Sequence, residues 1–194
     1  MDQAQPKATL KRYLDAARDA LVWKLEGLSE YDARRPLTPT ASNLLGIVKH
    51  VASVESGYLG GVFGRPFEEP LPWFEEGSEA NADMWATPEE TRDDILALYE
   101  RVREHSNATI EGLSLGSEGE VPWWPEDRRR VTLHQILVHI TTETHRHAGH
   151  ADIIRELIDG AAGLRAEAPN LPEGDAEWWA EHHAKVEAAA AAFN

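Results

Sequence analysis

The chain has 194 residues, 42% hydrophobic and 27% charged, the make-up of an ordinary globule of about one domain rather than a disordered or collagen-like chain. Nineteen Lys and Arg stand against 34 Asp and Glu, and a formal charge of −15 disfavours generic binding to nucleic acid or an anionic membrane. Cysteine is absent, which excludes disulfides, thiolate ligands and a cysteine nucleophile.

No run approaches the roughly 20 apolar residues of a membrane span, and Met1-Asp2-Gln3 does not open like a signal peptide, so a cytoplasmic protein is expected. The first helix is expected over residues 6–27, with Leu10, Leu14, Ala17, Leu21 and Leu25 on one stripe. Ser42 reads as the N-cap of a second helix, residues 43–63, whose apolar side carries Leu44, Ile47, Val48, Val51, Val54, Tyr58 and Val62. Residues 64–86, rich in Gly, Pro and aromatics, read as a long loop of the kind that is often functional. Thr87-Pro88-Glu89-Glu90 has the pattern of a capping box and predicts a third helix to about Glu111. A second loop, 112–131, carries Pro122-Trp123-Trp124-Pro125 and Arg128-Arg129-Arg130. Thr132-Leu133-His134-Gln135 opens a fourth helix, 133–159, closed by Gly160, and a last helix is expected over 175–192. The expectation is an all-α protein: an antiparallel four-helix bundle over about 5–165 with a C-terminal helical extension, one domain over 1–194.

On the fourth helix, His139, Glu143, His147 and His150 fall at about 0°, 40°, 80° and 20°, among Ile136, Ile140, Ile154, Leu157 and Ile158 at about 0–100°. Four titratable groups on an apolar arc are expected to face inward, and burying them unpaired would cost several kcal/mol each. A divalent cation satisfies such groups, and Glu143 and His147, at i and i+4, converge on successive turns. His50, at the edge of the second helix's apolar arc, is the best third donor. Gly46, Gly57 and Gly61 beside it suggest close packing or room for a ligand. Hydrogen-bonded core histidines without a metal are the competing reading. The proposal requires that His50 and His147 nitrogens lie within about 8 Å of each other, since zinc bonds are near 2 Å.

The segment from Leu44 through His50 to Ala52, followed by Glu143-Thr144-His145-Arg146-His147-Ala148-Gly149-His150-Ala151-Asp152, resembles the DinB-like superfamily. It is most similar to the mycothiol-dependent S-transferase and maleylpyruvate isomerase branch. The resemblance implies a four-helix bundle with His50, Glu143 and His147 as ligands of a divalent metal, zinc by preference, with nickel or iron also compatible. It also implies mycothiol as the thiol co-substrate. His150 follows the ligand motif and is a candidate proton shuttle, with His139 an alternative. Trp73, Trp85, Trp123 and Trp124 either wall an electrophile pocket or cap the bundle core. Arg128 and Arg130 either bind a polar sugar-containing thiol, with Trp123, or belong to a solvated loop. Asp152, Arg155 and Glu156 read as helix-surface ion pairs.

The expected function is a metal-dependent thiol S-transferase acting in detoxification on small-molecule electrophiles, as a monomer or homodimer without nucleic-acid or membrane partners. A metal-dependent hydrolase or isomerase on the same ligands, and a non-enzymatic metal-binding stress protein, remain the alternatives.

Overall fold

Leu14, Ala17 and Leu21 recur on one face of the first helix and are fully buried in the computed structural model, which describes residues 4–75 and 77–193. This helix, α1, spans Ala4–Val22, shorter than the periodicity predicts. The chain tightens into a 3-10 turn at Trp23–Leu25 and leaves at Gly27, whose φ of 72° suits glycine. The Arg155 guanidinium collects the carbonyls of Lys24 and Glu26 there, at 2.9 and 2.8 Å, and so takes over acceptors that a continuing helix would have used. A one-turn helix, α2 (Glu30–Arg34), too short to show a period, follows with Ser29 as its cap.

The second long helix, α3 (Leu44–Leu59), is capped by Asn43 rather than Ser42. The Asn43 amide oxygen accepts from Gly46 N–H at 2.7 Å while its NH2 donates to the Met84 carbonyl at 3.0 Å. Two acceptor and donor functions on one side chain let Asn43 tie the helix start to a distant loop, which a serine hydroxyl could not reach. The next helix, α4 (Arg92–Gly112), starts one turn later than expected. Its capping box is Thr91 with Asp94, whereas Thr87 and Glu90 make only a preceding turn in which the Glu90 carboxylate accepts from Thr87 N–H at 2.7 Å. A small hairpin of β1 (Glu118–Glu120) and β2 (Arg130–Thr132) interrupts the second loop, pairing Glu118 with Thr132 antiparallel. The helix α5 (Leu133–Asp159) runs between Thr132 and Gly160 as the caps predict, and α6 (Ala176–Ala191), capped by Asp175, lies exposed.

The four long helices form the bundle, with α1 beside α5, α5 beside α3, α3 beside α4, and α4 closing on α1. One core cluster holds Leu21, Leu45, Val48, Ile95, Tyr99 and Ile154, and the other Leu14, Leu59, Ile110, Leu133 and Leu137. These memberships show that α1 and α5 run one way and α3 and α4 the other. The connection between α3 and α4 therefore returns along the bundle. This crossover lies over the first half of α3, which is buried along nearly its whole length between the crossover, α4 and α5. Among the described residues no helix is long and apolar enough to cross a membrane.

Between the two clusters Arg18 of α1 and Glu55 of α3, both 0% exposed, form a bidentate pair. The guanidinium also donates to Asp15 at 2.7 Å and to Asn107 at 3.0 Å. Burial alone would lower the Arg18 pKa, but the carboxylates of Glu55 and Asp15 outweigh it and the pKa is raised. The pair holds three helices in register, yet its net worth is small because both ions were taken out of water. Arg18→Met is expected to destabilise the fold by about 3–5 kcal/mol, because it strands the Glu55 carboxylate. The double variant with Glu55→Leu is expected to recover most of that loss in urea unfolding.

Candidate metal centre

The buried residues of α5 fix which way its polar stripe looks. The buried residues run from Ile136 and Ile154 near 60° to Ala148 near 180°, and their arc is centred at about 120° on the scale that puts His139 at 0°. His147, near 80°, is inside this arc and buried; His139 and Glu143 stand on its shoulder and are half-buried. His150 is exposed and Leu157 is 62% exposed, so the expectation that all four titratable groups face inward fails at His150. The buried arc is shifted by roughly half a residue's rotation from the isoleucine-based reading, because Leu137, Thr144, Ala148 and Arg155 on its far side are buried while Leu157 is not. His145 is exposed as expected, its ring nitrogen against the Thr141 carbonyl at 2.8 Å.

Across from this shoulder, α3 presents His50. The His50 and His147 rings are 4.8 Å apart between centroids, and His147 Nε2 is 3.0 Å from Glu143 Oε1. One donor atom from each of His50, Glu143 and His147 lies within 4.8 Å of the others, inside the 8 Å limit set above. Asp83, which no motif singles out, completes the arrangement: its Oδ2 is 2.6 Å from His50 Nδ1. A carboxylate on one imidazole nitrogen fixes the ring and leaves the other nitrogen to face inward.

Asp83 belongs to a 3-10 turn, Ala82–Met84, in the crossover, and its placement follows from three neighbours on α3. Lys49, 1% exposed, donates to the carbonyls of Ala82 and Trp85, each at 3.0 Å, pairs with Glu90 at 2.8 Å and lies 4.0 Å over the Trp73 ring. Asn43 holds Met84, as above. Gly46 is required by the approach itself, since a Cβ there would stand 1.8 Å from the Met84 carbonyl oxygen. Gly57, by contrast, leaves room: a Cβ would meet only the Trp123 ring, at 3.6 Å, and Gly61 has nothing within 4 Å.

The donor chemistry fits a divalent cation. Burial lowers the His147 pKa, the neighbouring His50 adds to the effect, and Glu143 opposes it, so the imidazole is held toward its neutral, lone-pair-bearing form. Its Nδ1 is buried without a hydrogen-bond partner among the described residues. Two imidazoles and a carboxylate directed at one point repel through their lone pairs until a proton or a cation is shared among them.

A cavity of about 480 Å³ opens beside this cluster, lined by His50, Glu143, Val54, Tyr58, Phe74 and Trp123. A second cleft of about 540 Å³, lined by Arg128, Arg130, Gln135 and Trp124, shares His139 with the first. Trp123 thus walls the cavity, and exposed Arg128 and Arg130 lie next door rather than on it. Trp73 and Trp85 do not line the cavity. The Trp73 indole donates to Ser53 Oγ at 2.8 Å, and Trp85 offers its carbonyl to Lys49. His150 stands beyond His147, rings 5.3 Å apart, at the outer edge. Arg155 is not a surface residue: it is 8% exposed, paired with Asp159 and capping the end of α1. Asp152 pairs with buried Lys24 at 2.9 Å. Asp83→Ala is expected to weaken zinc binding about 10–100-fold in competition with a chromophoric chelator, while the metal-free protein melts nearly unchanged.

The family model described as mycothiol S-transferase matches residues 9–160, a stretch that holds His50, Asp83, Glu143 and His147 and stops before α6. A search of curated proteins finds no match. With the match covering most of α1 and all of α3, α4 and α5, well over half of the chain, the chain belongs to the mycothiol S-transferase family.

Proposed function

We propose that the protein is a divalent-metal-dependent S-transferase that joins mycothiol, a low-molecular-weight thiol, to small electrophiles in detoxification. The observation that carries this reading is the convergence of His50, Glu143 and His147 at the edge of a cavity, in a chain of this family. These three residues would hold the metal, zinc by preference, though nickel or ferrous iron suits the same donors. When bound, the cation lowers the pKa of a thiol so that it stands as a thiolate near neutral pH.

The chain's own residues account for the remaining tasks. Asp83 orients His50 through Nδ1. His150, exposed beside His147, would receive the thiol proton on a ring nitrogen and release it to water. His139, between the two cavities, is the second candidate for that role. Trp123, with Phe74 and Val54, supplies an apolar wall for the electrophile. Arg128 and Arg130 carry donors suited to the hydroxyl and carbonyl oxygens of a sugar-containing thiol extending into the second cleft. The reaction is a small-molecule one in the cytoplasm, carried out by a monomer or homodimer, and needs no cysteine of the protein.

Elemental analysis is expected to find about one divalent ion per chain, retained on gel filtration and lost in His147→Ala. Conjugation of a small electrophile is expected only when mycothiol is added and only in the metal-loaded protein. Turnover without any thiol would instead assign the same donors to a hydrolase or isomerase. A His50→Ala variant that loses metal and melts, in a protein that turns over nothing, would assign them to folding.

A further inference from the structure

Tyr58 sits in the last turn of α3, 8% exposed, on the wall of the cavity that also holds His50 and Glu143. Its hydroxyl oxygen accepts from two indoles, Trp123 Nε1 at 3.1 Å and Trp124 Nε1 at 2.9 Å. An indole N–H only donates, so the direction of both bonds is fixed. A phenol oxygen has two lone pairs to offer and one proton to give; here both lone pairs are occupied. The proton meets no acceptor among the described residues.

The ring cannot easily turn away. It packs against Trp123 at 5.2 Å, Trp124 at 6.0 Å and His139 at 4.7 Å between centroids. Trp124 is half-buried and packs on the second core cluster, but core capping does not explain Trp123, which remains 56% exposed while its indole nitrogen still reaches the phenol. Two N–H groups drawing on the oxygen make its own O–H a stronger donor.

We propose that Tyr58 is a catalytic residue whose hydroxyl donates to an oxygen on the electrophile, and that the electrophiles preferred are those carrying a carbonyl conjugated to the carbon attacked. The inference rests on the transferase reading above and adds the substrate class. As sulfur forms its bond to the β-carbon of an enone, the C=C pair moves toward the carbonyl carbon and the C=O pair onto oxygen. Tyr58 O–H donates to that oxygen. The proton given up by the thiol returns through solvent to the α-carbon, so thiol and enone combine with no leaving group and no redox partner. A hydroxyl held by two indoles on the wall of the cavity beside His50 and Glu143 is a preorganised donor, the kind of group that contributes most in oxyanion stabilisation.

The test compares zinc-loaded wild type and Tyr58→Phe with mycothiol and two electrophiles, an α,β-unsaturated ketone and benzyl chloride, whose charge develops on chloride. For the ketone, kcat/KM is expected to fall about 100-fold, as for removal of an oxyanion donor. The loss with benzyl chloride is expected to be at least about tenfold smaller, with zinc content unchanged. Trp124→Phe, which leaves Tyr58 in place but removes one donor to it, is expected to give an intermediate loss confined to the ketone, and it decides the matter if Tyr58→Phe does not fold. Equal losses with both electrophiles, or none with the ketone, would overturn the role of Tyr58 and leave the transferase reading standing. A wild-type enzyme that conjugates neither electrophile would overturn both.

Discussion

A carboxylate and two imidazoles turned toward one point are held in this fold against their own repulsion, and the rest of the architecture bears on that arrangement. It is possible because the polar stripe of α5 runs along the shoulder of its apolar arc. A stripe at the centre of the arc would have to be fully desolvated and would open to nothing. One on the far side would be wet and unable to meet α3. His147, just inside the arc, is buried enough to be held toward its neutral form, while Glu143 and His139 on the shoulder still border a cavity. The same offset puts His150 outside, against solvent.

The second half of the arrangement depends on the crossover. Because α3 and α4 run in the same direction, the chain between them must travel back along the bundle, and it does so over α3. That path brings backbone carbonyls against a helix, where they need donors. Lys49 donates to two of these carbonyls and to the Glu90 carboxylate, Asn43 donates to a third carbonyl, and Gly46 removes the side chain that would block the approach. A buried ammonium is costly unless fully partnered, and here every partner comes from the crossover or its end. Lys49 and His50 are consecutive, so the residue that anchors the loop and the residue that the loop orients share one turn of helix.

Much of this was legible in the sequence. The period of α1, α3 and α5, the caps Thr132 and Gly160, and the His50, Glu143, His147 set all follow from local pattern and spacing. What was not legible depends on tertiary partners. Asn43 outcompetes Ser42 as a cap because it also reaches Met84, and Thr91 displaces Thr87 because Glu90 N–H closes a turn on the Thr87 carbonyl and Arg34 takes the Thr87 and Glu90 carbonyls that a helix begun there would use. The exposure of His150 and Leu157 depends on where neighbouring helices stop covering α5. Arg155 looks like a surface residue by helical spacing, yet it is claimed by carbonyls more than a hundred positions away. Asp83 had no periodic or motif signal at all. The only hint was that it lies in a long aromatic loop, and such loops are where function concentrates.

The site divides its tasks between rigid and irregular parts of the chain. The three converging donors come from the two facing helices α3 and α5, where backbone hydrogen bonds hold Cα positions to the precision a metal requires. Orientation and enclosure come from two connections that approach from different directions: the crossover brings Asp83 to His50, and the loop before β2 brings Trp123 and Trp124 to Tyr58. A change in the second loop alters the cavity wall without moving a donor atom, whereas a change in the first acts on His50 directly. On the transferase reading proposed above, variation in electrophile preference is expected to concentrate between α4 and α5, and variation in affinity for a bound cation in the crossover. The exposed α6 lies beyond the matched residues and contributes no lining residue to either cavity beside the donors.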